Sequence, residues 1–339
     1  MEGEKKEIKY TYAKFHRRCF GNLIDFFVFI LALGLFFLGT RAIVTATPGF
    51  IEKQTALINI RKDSGLYYVE GTSSRDWVDH LDNEGSFSSY AKVSKMDDAI
   101  NTFIAYLNTN VGAAESNKVK EDYDKFRLSF NYSKDGSNIP YFITAEDGTL
   151  SRNAEGLIQP GLVTLEQYYT RVYMPFYDEH ALGYLVTLVP SYLDLVRFES
   201  IMLLGVELPI SWLFAGILVY LVPGFFWKRG RQSFGKWTYR IGLANKDLLS
   251  PSLGQHFARW AIFFFGVLTL SIFTFAIPMI ISTSLMAFSR KKQGLADYML
   301  NLTEVDVSQA KLYYSFEEIL LTGAAESKKP VDFKPIQED

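Results

Sequence analysis

The sequence predicts an α-helical polytopic membrane protein that carries a separate α+β domain. Its 339 residues are 48% hydrophobic and 16% aromatic, and only 21% are charged. This apolar content exceeds what the core of a soluble enzyme requires. The hydrophobic residues are concentrated in three blocks, and the long segment between the first two blocks has the mixed composition of a folded domain.

The first block predicts a membrane helix over residues 19–44. Residues 26–38 contain no charged or strongly polar side chain, and about 20 mostly apolar residues cross a bilayer. No clean small-residue cleavage site follows the block, so an uncleaved helix is favoured over a signal peptide.

The segment at residues 45–200 predicts an α+β domain, because aromatic and β-branched residues recur there between turn signals. The helices follow from apolar residues at helical spacing. The predicted elements are helices at Met96–Leu107 and Leu162–Tyr173, strands at Leu66–Val69 and Phe126–Tyr132, and turns at Lys134–Ser137 and Glu146–Gly148.

The second block predicts a membrane helix over residues 201–227. A basic amphipathic segment follows at residues 228–259, and we expect an interfacial helix at Lys228–Leu243 with its cations on lipid phosphates. Residues 230–236 have the wrong spacing for a phosphate loop, and Trp237 occupies its hydroxyl position, so nucleotide binding is not expected.

The third block, residues 260–289, is thirty residues long and contains no charge. As one helix it would measure about 45 Å, against about 30 Å of hydrocarbon in a bilayer. Basic residues flank both of its ends, so a helical hairpin or re-entrant pair bent near Leu270–Pro278 is favoured over one strongly tilted helix.

The distribution of charge predicts the orientation in the cell membrane. Lysine and arginine residues are concentrated in residues 1–18 and 228–259, which places both segments in the cytoplasm together with residues 290–339. Residues 45–200 carry 22 acidic and 14 basic residues, a net charge of −8. We therefore expect this domain to be extracytoplasmic.

Several kinds of chemistry are not expected. The chain has one cysteine, Cys19, and four scattered histidines, which excludes an intrachain disulfide and gives no spacing typical of a metal site. No serine, histidine and aspartate or cysteine and histidine arrangement indicates catalysis. We predict that the protein is not an enzyme, has no cofactor and does not bind nucleic acid.

The first block contains one carboxylate, Asp25, seven residues after Arg18. Seven residues make two helical turns, so both side chains share one face, with Asp25 about 10 Å further along the helix. A carboxylate inside a membrane is costly unless it is paired, hydrated or protonated. Two interpretations remain open: Asp25 is an ion or proton site, or it is a structural partner for a basic residue.

Three segments resemble motifs of the bacterial RDD family, which is named for an arginine and two aspartates. The first segment has Arg18, Gly21, Ile24 and Asp25 at the spacing of the first-helix motif. The second, residues 231–236, contains Ser233, Gly235 and Lys236. The third, residues 291–305, contains Gly294, Asp297 and Thr303.

The sequence departs from the family pattern at three positions. Arg231 stands where the first glycine of the loop is usual, Ala296 where histidine is common, and Leu302 where glycine is common. The resemblance covers Phe15–Leu38 and Met202–Val307. It leaves the outer domain as a large insertion between the first two helices.

The resemblance implies a polar cluster of Arg18, Asp25 and Asp297, supported by a cytoplasmic motif. The supporting residues are Ser233, Gly235, Lys236, Arg259, Gly294 and Thr303. It also implies a transporter or transport-associated protein for a small ion or solute, with cation/proton exchange as one form. The alternative is a membrane-anchored scaffold or sensor whose outer domain binds a ligand or a membrane-protein partner. Besides the lipid bilayer, a homo-oligomer is a further expected partner.

Overall fold

A computed structural model describes residues 6–8, 11–83, 86–129, 131–134, 137–140, 151, 164–289, 291–308, 311–319, 321 and 331–333. Up to residue 188 its elements are β1 (Lys6–Ile8), α1 (Phe15–Thr45), α2 (Pro48–Asp63), β2 (Tyr67–Glu70), β3 (Ser73–Asp76), α3 (Trp77–Asn83), α4 (Ser89–Asn110), α5 (Ala113–Ser129), β4 (Asn131–Lys134), β5 (Ser137–Pro140), α6 (Leu165–Tyr168) and α7 (Leu182–Leu188). The later elements are α8 (Pro190–Phe226), α9 (Phe234–Thr238), β6 (Ile241–Ala244), α10 (Leu253–Phe273), α11 (Ile277–Phe288), α12 (Leu295–Met299), β7 (Thr303–Asp306) and β8 (Val331–Phe333).

The chain divides into two compact units. Met1–Ala42 and Val206–Asp339 form the first unit, and Ile43–Gly205 forms the second. Among the described residues, three helices are long and apolar enough to cross a membrane: α1, α8 and α10. This confirms the predicted α-helical polytopic fold. Helix α8 begins at Pro190, earlier than the predicted start at residue 201.

Helix α1 has the polarity expected of a membrane helix in a bundle. Its buried face carries Arg18, Gly21, Asp25, Phe29 and Ala32 at spacings of three and four residues. Large apolar side chains on other faces are exposed, namely Phe27, Leu31, Leu35 and Leu38. Lipid favours this arrangement, in which polar side chains face the interior of the helix bundle and leucine side chains face the lipid.

Helices α8 and α10 pack closely within the first unit. The Trp260 indole donates to the carbonyl of Gly216 at 3.1 Å. A Cβ atom at Gly216 would overlap the ring of Phe264. The absence of a side chain at Gly216 therefore permits the close approach of α8 and α10. Phe29 of α1 joins the same core, with its ring 6.4 Å from that of Phe264.

The third hydrophobic block is bent, as the sequence predicts. Helix α10 ends at Phe273, and Phe275 and Ala276 adopt left-handed backbone angles (φ 50° and 63°) before α11 begins. Arg259 near the start of α10 contacts Asp297, which follows α11. The two ends of the block therefore lie together, and the pair is a hairpin.

A short sheet in the first unit lies beside the polar cluster. Strand β6 pairs antiparallel with β7, from Ile241 opposite Asp306 to Ala244 opposite Thr303. The residues before α1 join its edge, since the Ala13 amide donates to the Glu304 carbonyl at 3.1 Å. Strand β1 pairs in parallel with β8. The sheet fixes the start of α1 beside β7.

The second unit is mostly helical, with two β-hairpins, β2–β3 and β4–β5. Helices α2, α4, α5, α6 and α7 enclose a core rich in tyrosine and phenylalanine. Within this core, the buried Tyr123 and Tyr173 hydroxyls donate to Asp97, at 2.8 and 3.3 Å. The Asn101 side-chain amide donates to the same carboxylate at 3.2 Å, so hydrogen bonds satisfy this buried acidic group.

The predicted helices of the second unit are present: Met96–Leu107 lies within α4, and the described part of Leu162–Tyr173 is helical through α6 and the π-helical turn that follows. The strand Tyr67–Glu70 is also present. The β4–β5 pairing places Lys134 opposite Ser137, as the predicted turn requires. The turn predicted at Glu146–Gly148 lies outside the described residues.

Two predictions of local structure are wrong in part or in whole. The strand predicted at Phe126–Tyr132 is present only at Asn131 and Tyr132, in β4. Phe126–Ser129 is helical, because Tyr123 and Phe126 lie three residues apart on α5 and both pack on the Phe176 ring. The interfacial helix predicted at Lys228–Leu243 is instead the five-residue α9 followed by β6. Ile241 and Leu243, which an interfacial helix would place against lipid, are fully buried within the first unit.

Candidate functional site

Asp25 is held by α9 rather than by a basic residue. Its carboxylate accepts a hydrogen bond from the Ser233 hydroxyl and another from the Gly235 amide at 2.7 Å. A Cβ atom at Gly235 would overlap the carbonyl of Gly21, so two glycines bring α1 and α9 into contact. Among the described residues Asp25 has no salt bridge, and its two partners are both uncharged donors.

Arg18 shares a face with Asp25 but bonds elsewhere. It is 1% exposed and donates to the carbonyls of Lys292 and Glu304, the latter at 3.0 Å. Its Nε lies 3.5 Å from the Glu304 carboxylate. Arg18 therefore joins the start of α1 to β7 and to the turn after α11.

Glu304 is the centre of the buried charges, although the sequence motifs do not predict it as a site residue. Its carboxylate pairs with Lys236 and Arg18, and Arg259 Nη2 lies 3.9 Å away. Burial alone would raise the pKa of Glu304, but the positive charges of Lys236, Arg18 and Arg259 outweigh it and lower that pKa. The available sequence signal was an acidic residue between Thr303 and Val305 in the third motif. The structure shows that all three residues are buried on β7.

Asp297 forms the second ion pair of the cluster. Arg259 donates to both of its oxygens, from Nε at 2.5 Å and from Nη2 at 3.3 Å. Two parallel hydrogen bonds between an arginine and a carboxylate fix the orientation of both groups. This contact also closes the hairpin of α10 and α11.

The remaining predicted residues support the loops around the cluster. A Cβ atom at Gly294 would lie 3.2 Å from the Ser282 hydroxyl, which accepts from the Leu295 amide at 3.1 Å. Thr303 lies on β7, with its hydroxyl 3.5 Å from the Gln293 amide nitrogen. Arg231 has a left-handed φ of 46°, which explains why glycine is usual at this position of the family pattern.

A cavity of about 280 Å³ adjoins the cluster. Asp25, Arg259, Asp297 and Glu304 line its polar end, and most of its remaining wall is apolar. Lys236 and Arg18 do not line it. The three carboxylates and one guanidinium at this end can bind a proton, a cation or a polar group of a solute.

Three membrane-length helices and a buried polar cluster beside a cavity define a multi-pass integral membrane protein. Residues 170–301 match the model of the RDD family. This match confirms, over residues 170–301, the RDD resemblance that the motifs predict. The match includes residues 231–236 and Asp297 and excludes Arg18, Asp25 and Thr303.

The match begins at residue 170, upstream of the second part of the motif resemblance, which begins at Met202. The large insertion that the sequence predicts between the first two helices stays a prediction. Neither the curated proteins nor the solved structures gave a match to this chain.

Proposed function

We propose that this protein transports a small cation or solute in exchange for protons, with Asp25 as the exchanging group. The observation that carries the proposal is the contrast among the three carboxylates that line the cavity. Asp297 and Glu304 are paired with permanent or strongly held cations. Asp25 accepts hydrogen bonds from uncharged donors only, among the described residues.

This contrast assigns different tasks to the three groups. The pairs of Asp297 with Arg259 and of Glu304 with Lys236 keep the charges of the cavity end fixed. Asp25 is then the carboxylate whose charge can change: it is neutral when it carries a proton and negative when it binds a cation. A group that carries either a proton or a cation, but not both, couples their movements.

The orientation that we propose follows the charges near the membrane ends. The N-terminus and the segments at residues 228–259 and 290–339 are cytoplasmic, and residues 45–200 are extracytoplasmic. Under this orientation, the motif of Ser233, Gly235 and Lys236 contacts Asp25 near the cytoplasmic end of α1.

The test uses purified protein in liposomes with a pH gradient across the membrane. Addition of Na⁺, K⁺ or an organic ammonium is expected to dissipate the gradient faster than in empty vesicles. Asp25→Asn should reduce this rate to the background, and Asp25→Glu should restore part of it. Glu318→Gln, which changes a carboxylate on an exposed ion pair of the same unit, should retain the wild-type rate.

Wild-type protein that leaves the gradient unchanged with every cation would overturn the proposal, as would an Asp25→Asn variant with the wild-type rate. The role of Asp297 is tested in parallel by Asp297→Asn. We expect this variant to lose folded protein as well as transport, because Arg259 then loses its partner.

A scaffold or sensor remains the second candidate, and one observation favours it. Ile43–Gly205 is a compact unit with its own core, as a binding domain requires. Its test is purification of the full-length protein from membranes. One partner in a fixed ratio, lost when surface residues of this unit are substituted, would support the scaffold.

A further inference from the structure

The cavity beside Asp25 is larger and more apolar than a bare metal cation requires. Its volume of about 280 Å³ corresponds to on the order of nine water molecules at about 30 Å³ each. Hard cations take a close shell of oxygen ligands. Here Phe26, Phe263, Val267 and Leu268 form much of the wall, so most of the space offers no oxygen atoms.

The polar end of the cavity favours a positive group. Three carboxylates and one guanidinium line this end. Arg18 and Lys236 contact Glu304 but do not line the cavity. The Oε2 atom of Glu304 is buried and accepts no hydrogen bond from the described residues. Its nearest cation is Arg18, with Nε at 3.5 Å. The side chains that line the cavity thus include more carboxylates than cations, and Asp25 is the one among these carboxylates that forms no ion pair with the described residues.

Aromatic rings stand next to these carboxylates. Tyr220 and Phe263 both line the cavity and contact each other edge to face, with ring centroids 5.0 Å apart. Phe26 lines it one residue after Asp25. Aromatic faces beside negative charge are the combination that binds ammonium groups through cation–π attraction.

The cavity also opens on an apolar surface, since its lining residues Leu23 and Met279 are 55% and 46% exposed. We propose that the solute of this site is an organic ammonium that carries an apolar group, rather than a bare metal cation. The ammonium lies against Asp25 and the aromatic rings, and the apolar group fills the remaining cavity. This inference rests on the proposed function in treating the cavity as the solute site.

The test is equilibrium binding of radiolabelled benzyltrimethylammonium to the purified full-length protein in a nonionic detergent. Tetramethylammonium has the same charged group without the ring, and benzenesulfonate has the ring with the opposite charge. We expect each to compete at least tenfold more weakly than unlabelled benzyltrimethylammonium. Absence of binding, or equal competition by Na⁺, tetramethylammonium or benzenesulfonate, would overturn the inference.

Two matched pairs of variants locate the binding. Thr283 lines the cavity and its neighbour Ser284 does not, so Thr283→Trp should weaken binding at least tenfold and Ser284→Trp less than twofold. Phe263→Leu removes an aromatic face from the wall and should weaken binding severalfold. Phe265→Leu, on the same helix but outside the cavity, should leave it unchanged. Equal effects within either pair would place the ligand elsewhere.

The two proposals fail in different ways. If Na⁺ and K⁺ dissipate the pH gradient but benzyltrimethylammonium does not bind, the transport function stands and the ligand class is wrong. If benzyltrimethylammonium binds with the expected variant pattern but no cation dissipates the gradient, the ligand class stands and proton exchange is wrong.

Discussion

At the scale of residues, Glu304 organises the buried charges of this protein. It is 4% exposed and lies within ion-pair distance of Lys236, Arg18 and Arg259. Three cations of this kind are tolerated in a buried position only because carboxylates oppose them. The cluster holds three acidic and three basic residues, and removal of one member leaves a charge without its counterpart.

Glu304→Gln is therefore expected to lower the free energy of unfolding by about 3–5 kcal/mol, the usual cost of breaking a buried ion pair. The matched control is Glu318→Gln, which breaks the more exposed pair with Arg229 and should cost below about 1 kcal/mol. Both are measured by titrating the detergent-solubilised protein with a denaturing detergent. Similar losses in the two variants would contradict the central role of Glu304.

The lowered pKa of Glu304 predicts that acid destabilises the protein. Burial raises this pKa, but Lys236, Arg18 and Arg259 outweigh burial and hold it below the usual 4.5. The unfolded chain then takes up a proton more readily than the folded protein does. The stabilisation by Glu304 is complete above pH 4.5 and is lost as the pH falls below that value.

The measurement is the melting temperature in a nonionic detergent as the pH is lowered from about 6 to about 3. Wild-type protein should lose stability over this range more steeply than the Glu304→Gln variant does. Parallel curves for the two proteins would show that other carboxylates cause the acid dependence.

At the scale of elements, the break between α10 and α11 makes the third block a hairpin. The backbone reverses at Phe275 and Ala276, both with left-handed angles. No glycine occupies the break, although a residue with a Cβ atom pays about 1–2 kcal/mol in this conformation. Phe275 is 95% exposed, so contacts of its side chain do not hold the turn. Ser271 holds it instead, because its carbonyl accepts a hydrogen bond from the Ala276 amide at 2.8 Å and its hydroxyl accepts one from the Met279 amide at 3.1 Å.

Glycine substitutions at two alanines of this hairpin should have opposite effects. Ala276→Gly relieves a left-handed residue and should raise the free energy of unfolding by about 0.5–1 kcal/mol. Ala261→Gly lies in the interior of α10 and should lower it by about 0.5–1 kcal/mol. Unfolding with a denaturing detergent measures both. A loss at both positions would mean that the break is not left-handed.

At the scale of the whole molecule, the polar cluster joins segments that are far apart in the chain. Arg18 and Asp25 belong to α1, Lys236 to α9, and Glu304 to β7. The Gly21 and Gly235 backbones meet where α1 and α9 touch. One buried cluster thus ties α1 to α9 and β7.

The proposed orientation is tested by labelling single cysteines in a Cys19→Ser background. A membrane-impermeant thiol reagent should label Asn117→Cys, on the exposed surface of α5, from outside intact cells. It should label Ser308→Cys, exposed after β7, only after the cells are permeabilised. Labelling of Ser308→Cys from outside would overturn the cytoplasmic placement of residues 290–339.

The sequence alone determined the three hydrophobic blocks, the bend in the third and the shared face of Arg18 and Asp25. Each of these follows from hydropathy, block length or helical period, which are properties of neighbouring residues. The tertiary structure decided which carboxylate meets which cation. Asp25 binds α9 instead of Arg18, and Arg18 binds Glu304, 286 residues away. Such pairings depend on the β6–β7 sheet and on two glycine contacts, which local sequence patterns do not specify.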